Sequence, residues 1–327
     1  MIGNKEMFVP IRKLINKTQI LFVRTFPLLR VVLFKVALPG MKYDTPHIVT
    51  LTILCLLVFP IAVFHSLYNR ITGKFIIDNV QTCITTLCTL KCKECVTMIP
   101  LYSKPQNMNC TNILSDIDKL LKIVDYIVTF GVSGGEPFLH GNLAEIVNKM
   151  LLSNKISYIG IATTGMVIPK KEIIDVLKNN RIKVIISGYP EKLVPNVSKF
   201  IKILRDNGIN YGYSKNQKWK YYGDKNFKNR SIHENRELFS LCISSLCNVI
   251  LDGKYYVCIF SVGGIDLGII PQNEDDFVNI RELSVEEAKT KLLSFRRKKI
   301  FFCCNYCDGN TFLSKTIEPA EQIYDHI

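Results

Sequence analysis

The chain has 327 residues, 48% of them hydrophobic, and a formal net charge of +14. That hydrophobic share excludes large-scale disorder and allows one large domain or two to three smaller ones. Twelve cysteines in a chain of this length do not suit a small secreted disulfide scaffold; their clustering points to metal in a reducing compartment, the cytoplasm.

The charge is uneven. Residues 1–42 hold Lys5, Arg12, Lys13, Lys17, Arg24, Arg30, Lys35 and Lys42 against Glu6 alone, which is half of the net charge. Gln19 to Pro39 reads as an amphipathic helix bent at Pro27. Ile48 to Leu67 is almost wholly apolar, its polar members being Thr50, Thr52, His65 and Ser66, and is long enough to span a bilayer with a kink at Pro60. A single span would leave the basic segment outside, against the positive-inside tendency. A helical hairpin, or helices lying in the interface or on the rest of the chain, avoids that conflict. Residues 1–74 are therefore expected to be a basic, apolar helical extension, in contact with the inner face of a membrane or packed as a plain extension. Basicity concentrated in an apolar segment speaks against nucleic acid as the partner.

From Phe75 the pattern changes to alternating strands and helices. Phe75 to Thr85 reads as a strand. Cys88-Thr-Leu-Lys-Cys92-Lys-Glu-Cys95 follows it, with cysteines at spacings x3 and x2. Three thiolates so close suit three corners of an iron–sulfur cube, leaving one iron open to a substrate or cofactor. Zinc is the rival metal, although a structural zinc site needs a fourth ligand. After a loop over Pro100 to Asn112, Ser115 is expected to cap a helix that carries Asp116 and Asp118 in its first turn and runs to about Val124.

Tyr126 to Val132 reads as a strand, ending in Ser133-Gly134-Gly135-Glu136-Pro137. Two glycines allow close approach of a ligand to the backbone, and the Glu136 carboxylate can accept from an ammonium group. A helix over Asn142 to Ser153 and a strand over Ser157 to Thr163 follow, then the turn Thr163-Thr164-Gly165. The expected series continues with a helix from Pro169 to Asn180, a strand over Ile182 to Ser187, a helix over Val197 to Asn207 and a strand over Ile209 to Tyr213. Repeated β-α units imply a parallel sheet or partial barrel with chemistry at the carboxyl ends of its strands. Lys215 to Asn235, with Trp219, Tyr221 and Tyr222, reads as a last strand or linker. A compact cysteine-rich region spans 238–312, interrupted by a helix from Ser284 to Leu293, and 313–327 is a tail.

With CTLKCKEC at 88–95, SGGEP at 133–137 and Thr163-Thr164-Gly165 in this order, the sequence resembles the radical S-adenosylmethionine (SAM) enzymes over roughly 75–225. It departs from many members at Glu94, where an aromatic is common, and at Thr164, where Asn is common; neither is a metal ligand. The resemblance implies a partial (β/α)6 TIM-like barrel. It implies a [4Fe–4S] cluster on Cys88, Cys92 and Cys95, and SAM held by Gly134, Gly135, Glu136, Thr163 and Ser187. It further implies reductive cleavage of SAM to a 5′-deoxyadenosyl radical, fed by a reductant such as flavodoxin or ferredoxin.

The C-terminal cysteines extend the resemblance to the auxiliary-cluster region called twitch, a shortened SPASM domain. Cys242, Cys258, Cys304 and Cys307 are the chosen ligands of a second [4Fe–4S] cluster, Cys247 and Cys303 the alternatives. Gly253 is expected to turn a hairpin that faces two cysteines toward the later pair. A four-cysteine zinc knot is the competing reading.

Other residues carry weaker signals. Cys110 and Cys83 could donate hydrogen to a substrate radical, yet lone cysteines more often act as small buried hydrophobes. His140 lines the SAM pocket or merely closes its loop. Trp219, Tyr221 and Tyr222 stack on a ligand or pack an interface. Arg296-Arg297-Lys298-Lys299 meets a phosphate or carrier, or is a solvated face.

The sequence thus reads as a radical SAM oxidoreductase or isomerase. Its expected substrate is small or carrier-linked, such as a sugar or an envelope-glycan precursor. Peptide maturation is the alternative enzyme reading, and a non-catalytic, zinc-binding, membrane-associated protein the alternative of another class.

Overall fold

The computed structural model describes Pro60, Val63, Phe64, Leu67, Tyr68, and residues 71–215 and 218–323. The amphipathic helix expected over Gln19 to Pro39, and most of the apolar stretch Ile48 to Leu67, lie outside the described residues. Among the described residues no helix is long and apolar enough to cross a membrane.

The fold is α/β, around one sheet. β1 (Ile76–Thr85), β2 (Tyr126–Gly134), β3 (Ile156–Thr163), β4 (Ile182–Ile186) and β5 (Tyr211–Tyr213) are parallel neighbours in chain order. Helices α1 (Cys110–Ile123), α2 (Leu143–Leu151), α3 (Lys171–Leu177) and α4 (Val197–Asp206) make the crossovers between them. β1 and β2 are buried on both faces over most of their length. That is why they read as near-continuous β-branched and apolar runs rather than alternating ones.

Two boundaries differ from the sequence reading for identifiable reasons. α1 begins at Cys110, not after Ser115, because Asn109 is the N-cap and its side chain accepts from the Asn112 N–H at 3.1 Å. The stretch around Trp219 forms a two-residue strand, β6 (Trp219–Lys220), that joins no barrel edge. It pairs antiparallel with β10 (Thr316–Ile317) near the C-terminus.

The sheet continues through the cysteine-rich region. After α5 (Ile232–Leu241), β7 (Asn248–Leu251) pairs parallel with β1 on the edge opposite β5. β8 (Lys254–Tyr256) and β9 (Phe277–Asn279) then add antiparallel strands, giving the order β5-β4-β3-β2-β1-β7-β8-β9. The β7–β8 turn is Asp252-Gly253, with φ +48° and +75°; consecutive positive φ values are what a two-residue hairpin turn of this twist demands. α6 (Ile259–Asp266) and α7 (Val285–Arg297) complete the region.

α5 and α7 open with Ser-x-x-Glu boxes. Ser231 and Glu234 bond each other's backbone N–H groups, as do Ser284 and Glu287.

One ion pair ties the C-terminal hairpin to α1. Arg281 donates from Nε to Asp116 Oδ1 at 2.6 Å and from Nη2 to Oδ2 at 2.9 Å. Gly253 N–H donates to the same Oδ2 at 2.9 Å. Asp116 is thus a buried carboxylate with a long-range partner rather than a first-turn helix charge.

Candidate active site and second cysteine centre

The first site is built on the carboxyl ends of β1 and β2. Beyond Thr85 the chain turns into the loop of Cys88, Cys92 and Cys95. Two short turns shape it, Cys95 N–H donating to Cys92 O at 3.1 Å and Met98 N–H to Cys95 O at 2.9 Å. The loop lies directly against the glycines of β2. Gly135 N–H donates to Thr85 O at 2.8 Å, and Glu136 N–H to Leu87 O at 2.7 Å. A Cβ on Gly135 would sit inside the van der Waals envelope of Leu87 O, and one on Gly134, whose φ is +130°, inside that of Thr85 O. The glycines are therefore required by the close approach of the cysteine loop's backbone, one residue before Cys88.

Glu136 is fully buried, with 0% exposure. Its Oε1 accepts from Thr163 Oγ1 at 2.8 Å and Phe138 N–H at 3.3 Å. Its Oε2 accepts from the Thr164 N–H at 2.8 Å and Thr164 Oγ1 at 2.7 Å. Burial pushes its carboxyl above the usual range, and the Thr164 and Thr163 bonds pull it back. Its acceptor positions are filled from the turn after β3, so the side chain fastens the β2 loop to the β3 loop. Thr164 and Thr163 make the same bond from the other side.

Ser187, just past β4, donates its N–H to Thr163 O at 2.9 Å, which adds a fourth strand end to the group. Tyr189, two residues on, was not singled out in the sequence. Burial raises its phenol first, and the thiols of Cys92, Cys95 and Cys88 add to the effect. It packs edge-on to Trp219 with ring centroids 5.7 Å apart. Only its place at a strand end marked it in the sequence.

Burial pushes the Cys88 thiol up to about 12 and Cys92 to about 11, with Cys95 adding to both. The surroundings of Cys88 and Cys92 thus penalise bare thiolate charge. Cys95 Sγ lies 3.0 Å from Thr97 Oγ1, and Cys92 Sγ accepts from Gln322 Nε2 at 3.3 Å.

The weaker candidates fall elsewhere. Cys83 is a core thiol on β1, pushed up to about 12 by burial. Cys110 opens α1 and contacts Glu145 Oε2 at 3.6 Å, linking α1 to α2. His140 closes its loop. Nδ1 accepts from Asn142 N–H at 3.1 Å, so the proton sits on Nε2, which donates to Met108 O at 3.0 Å.

The second site is a small cavity lined by Cys242, Cys258, Cys304 and Cys307, with Tyr222 and Phe260 among its walls. These two rings stack at 5.8 Å and 7°. Cys247 and Cys303 do not line the cavity. Cys303 is turned toward Asp276, whose Oδ2 accepts its N–H at 2.7 Å. Two of the four sulfurs accept backbone N–H groups, Cys242 from Asn310 at 3.3 Å and Cys307 from Gly309 at 3.1 Å.

Among the described residues, no three His, Cys, Asp or Glu side chains are drawn into the geometry of a metal site. The donor chemistry of both centres nonetheless fits a soft, electron-rich group: thiols only, desolvated, with N–H donors aimed at sulfur.

Parallel strands whose carboxyl ends carry one cysteine loop and one glycine loop define a β/α protein of the partial-barrel kind. Residues 82–213 match the family model of the Radical SAM superfamily. No curated protein matches the sequence. Among solved structures, the chain is similar to BtrN in complex with AdoMet and 2-DOIA, at 14% identity and TM-score 0.47, over 72% of this chain and 94% of that one. It is similar to anSMEcpe with bound AdoMet at 14% identity and TM-score 0.46, over 69% and 80%. It is also similar to Streptococcus suis SuiB bound to precursor peptide SuiA, at 11% identity and TM-score 0.41, over 86% and 82%.

Proposed function

We propose that the protein is a radical SAM oxidoreductase or isomerase that takes hydrogen from a small or carrier-linked substrate. The observation that carries this reading is the cysteine loop of β1 pinned, one residue before Cys88, to the Gly-Gly-Glu loop of β2. Cys88, Cys92 and Cys95 would hold a [4Fe–4S] cluster. A cluster there would supply one-electron reducing chemistry, by which the S–C5′ bond of SAM would break to give methionine and a 5′-deoxyadenosyl radical.

The chain's own residues bind, orient and shield. Gly134 and Gly135 offer backbone to the methionyl end of SAM, while Glu136, Thr163 and Thr164 fix that backbone in place. Ser187 stands at the next strand end, available to a ribose hydroxyl. Tyr189, packed edge-on against Trp219 just past the β4 strand end, would limit water at the site. Cys242, Cys258, Cys304 and Cys307 would hold a second cluster. The reductant would be a flavodoxin or ferredoxin. The basic, apolar segment 1–74 favours a lipid-linked or envelope-glycan precursor as substrate.

The test is anaerobic incubation of the reconstituted protein with SAM and dithionite. Deoxyadenosine is expected from the wild type and not from Cys88→Ala, with a rise when the matching glycan precursor is added. Deoxyadenosine that rises only with a peptide would move the assignment to peptide maturation. None under any condition would count against the radical reading.

A further inference from the structure

The C-terminal tail returns to the cysteine loop. Residues 321–323 run antiparallel to 91–93, Lys93 N–H donating to Glu321 O at 2.8 Å and Ile323 N–H to Lys91 O at 2.7 Å. Ala320, fully buried and at φ +58°, anchors the tail just before it reaches the loop. The Lys93–Glu321 ion pair, at 3.4 Å, is exposed on both sides and adds little.

Gln322 is different. Its Oε1 accepts from Lys91 N–H at 2.8 Å. Its Nε2 donates to Ala320 O at 2.7 Å and to Cys92 Sγ at 3.3 Å. These three bonds fix the amide's orientation. A flipped amide would set its NH2 against the Lys91 N–H and its oxygen against both Ala320 O and the sulfur. The donor therefore faces Cys92 by construction, from 230 positions along the chain.

We infer that Gln322 is a positioning residue of the first metal centre, its amide tuning the sulfur of Cys92. This rests on the reading that Cys92 ligates the cluster. A hydrogen bond donated to a ligand sulfur draws charge from it and favours the more negative, reduced cluster, so it raises the reduction potential. The tail thereby sets how readily the first centre accepts its electron, in addition to holding the loop.

The test is a potentiometric titration of the reconstituted full chain, following the electron paramagnetic resonance signal that SAM perturbs. Gln322→Glu, which keeps the acceptor for Lys91 but loses the donor, is expected to shift the midpoint to more negative potential. Gln322→Leu is expected to shift it the same way. Glu321→Ala removes only the exposed ion pair and is expected to leave the midpoint unchanged. Gln322 variants that hold full iron at the wild-type midpoint would overturn the inference.

Amide hydrogen exchange in the iron-free chain gives an independent reading of the docked tail. Slow exchange at Lys93 and Ile323 is expected in the wild type and in Gln322→Glu, and exchange as fast as in an unstructured chain would overturn the inference. If Gln322→Glu loses the first cluster while Lys93 stays protected, the donor to sulfur is needed directly, which supports it. If iron and protection vanish together, the residue is a strap only, and the tuning role falls. A wild type with no SAM-sensitive signal would overturn the ligation reading and the tuning role with it. The docked tail would still stand, since exchange reads it alone.

Discussion

The Glu136 carboxylate accepts both the hydroxyl of Thr164, at 2.7 Å, and its backbone N–H, at 2.8 Å. Two strand-end loops that read separately in the sequence are therefore one hydrogen-bonded unit. Thr164→Val removes the hydroxyl donor and leaves a buried acceptor poorly served. It is expected to destabilise the fold by about 1–2 kcal/mol in denaturant titration and to weaken SAM binding. Thr164→Asn restores a side-chain donor and should lose less than Thr164→Val. Equal stability of Thr164→Val and the wild type would show that the bond does not hold the loops.

The packing of Gly135 on Leu87 gives a sharper expectation. Its clash partner is a carbonyl oxygen of the backbone, which no rotamer change can relieve. Gly135→Ala should cost roughly 2–3 kcal/mol and displace the loop that carries Cys88. At Gly160 an added Cβ would meet only Ile185 Cδ1 at 3.4 Å, so Gly160→Ala should stay near wild type. Thermal unfolding and iron uptake of the two variants make the comparison, and a Gly135→Ala protein that loads iron normally would refute it.

Asp116 and Arg281 join α1 to the β7–β8 turn. The Asp116 side chain keeps only 5% of its exposure. Arg281→Ala leaves that carboxylate buried and served only by the Gly253 N–H, an expected loss of about 3–5 kcal/mol. The double variant Arg281→Leu/Asp116→Leu should recover part of that loss, because no unpaired charge remains. Urea titrations of the single and double variants would measure both.

Asp276 supplies a pH signature. Burial raises its carboxyl from 3.8 to about 6, and the backbone N–H of Cys303 opposes the rise. Among the described residues its Oδ1 is buried without a hydrogen-bond partner. Between the unfolded and folded values the native state holds the proton that the unfolded chain has lost. Stability therefore falls as pH rises through that window, by at most about 3 kcal/mol. Asp276→Asn should flatten the fall. Thermal unfolding of both proteins from pH 4 to pH 7 tests it, and equal slopes would contradict the assignment.

Much of the fold was legible because parallel strands announce themselves as apolar runs and their helices by caps and periodicity. α1 was misread at its start because Ser115 and Asn109 are both competent caps, and Asp116 looks like a first-turn charge until Arg281 is placed beside it. The β6–β10 pairing joins segments almost a hundred residues apart with no local signal. At the second centre, the choice of Cys242, Cys258, Cys304 and Cys307 coincides with the four thiols that line one cavity. The spacing could not separate Cys303 from Cys304, because orientation depends on the turn between Phe301 and Cys307. Gln322 was invisible for the same reason as Arg281: its partner lies far along the chain.

The central claim is tested most directly by counting metal and product together. The protein would be purified without oxygen, reconstituted with iron and sulfide, and compared with Cys88→Ala/Cys92→Ala/Cys95→Ala after addition of SAM and dithionite. About eight irons per chain in the wild type, falling to about four in the triple variant, is the predicted result for two [4Fe–4S] clusters, with deoxyadenosine formed by the wild type alone. Tetrahedral zinc and no deoxyadenosine in either protein would contradict it.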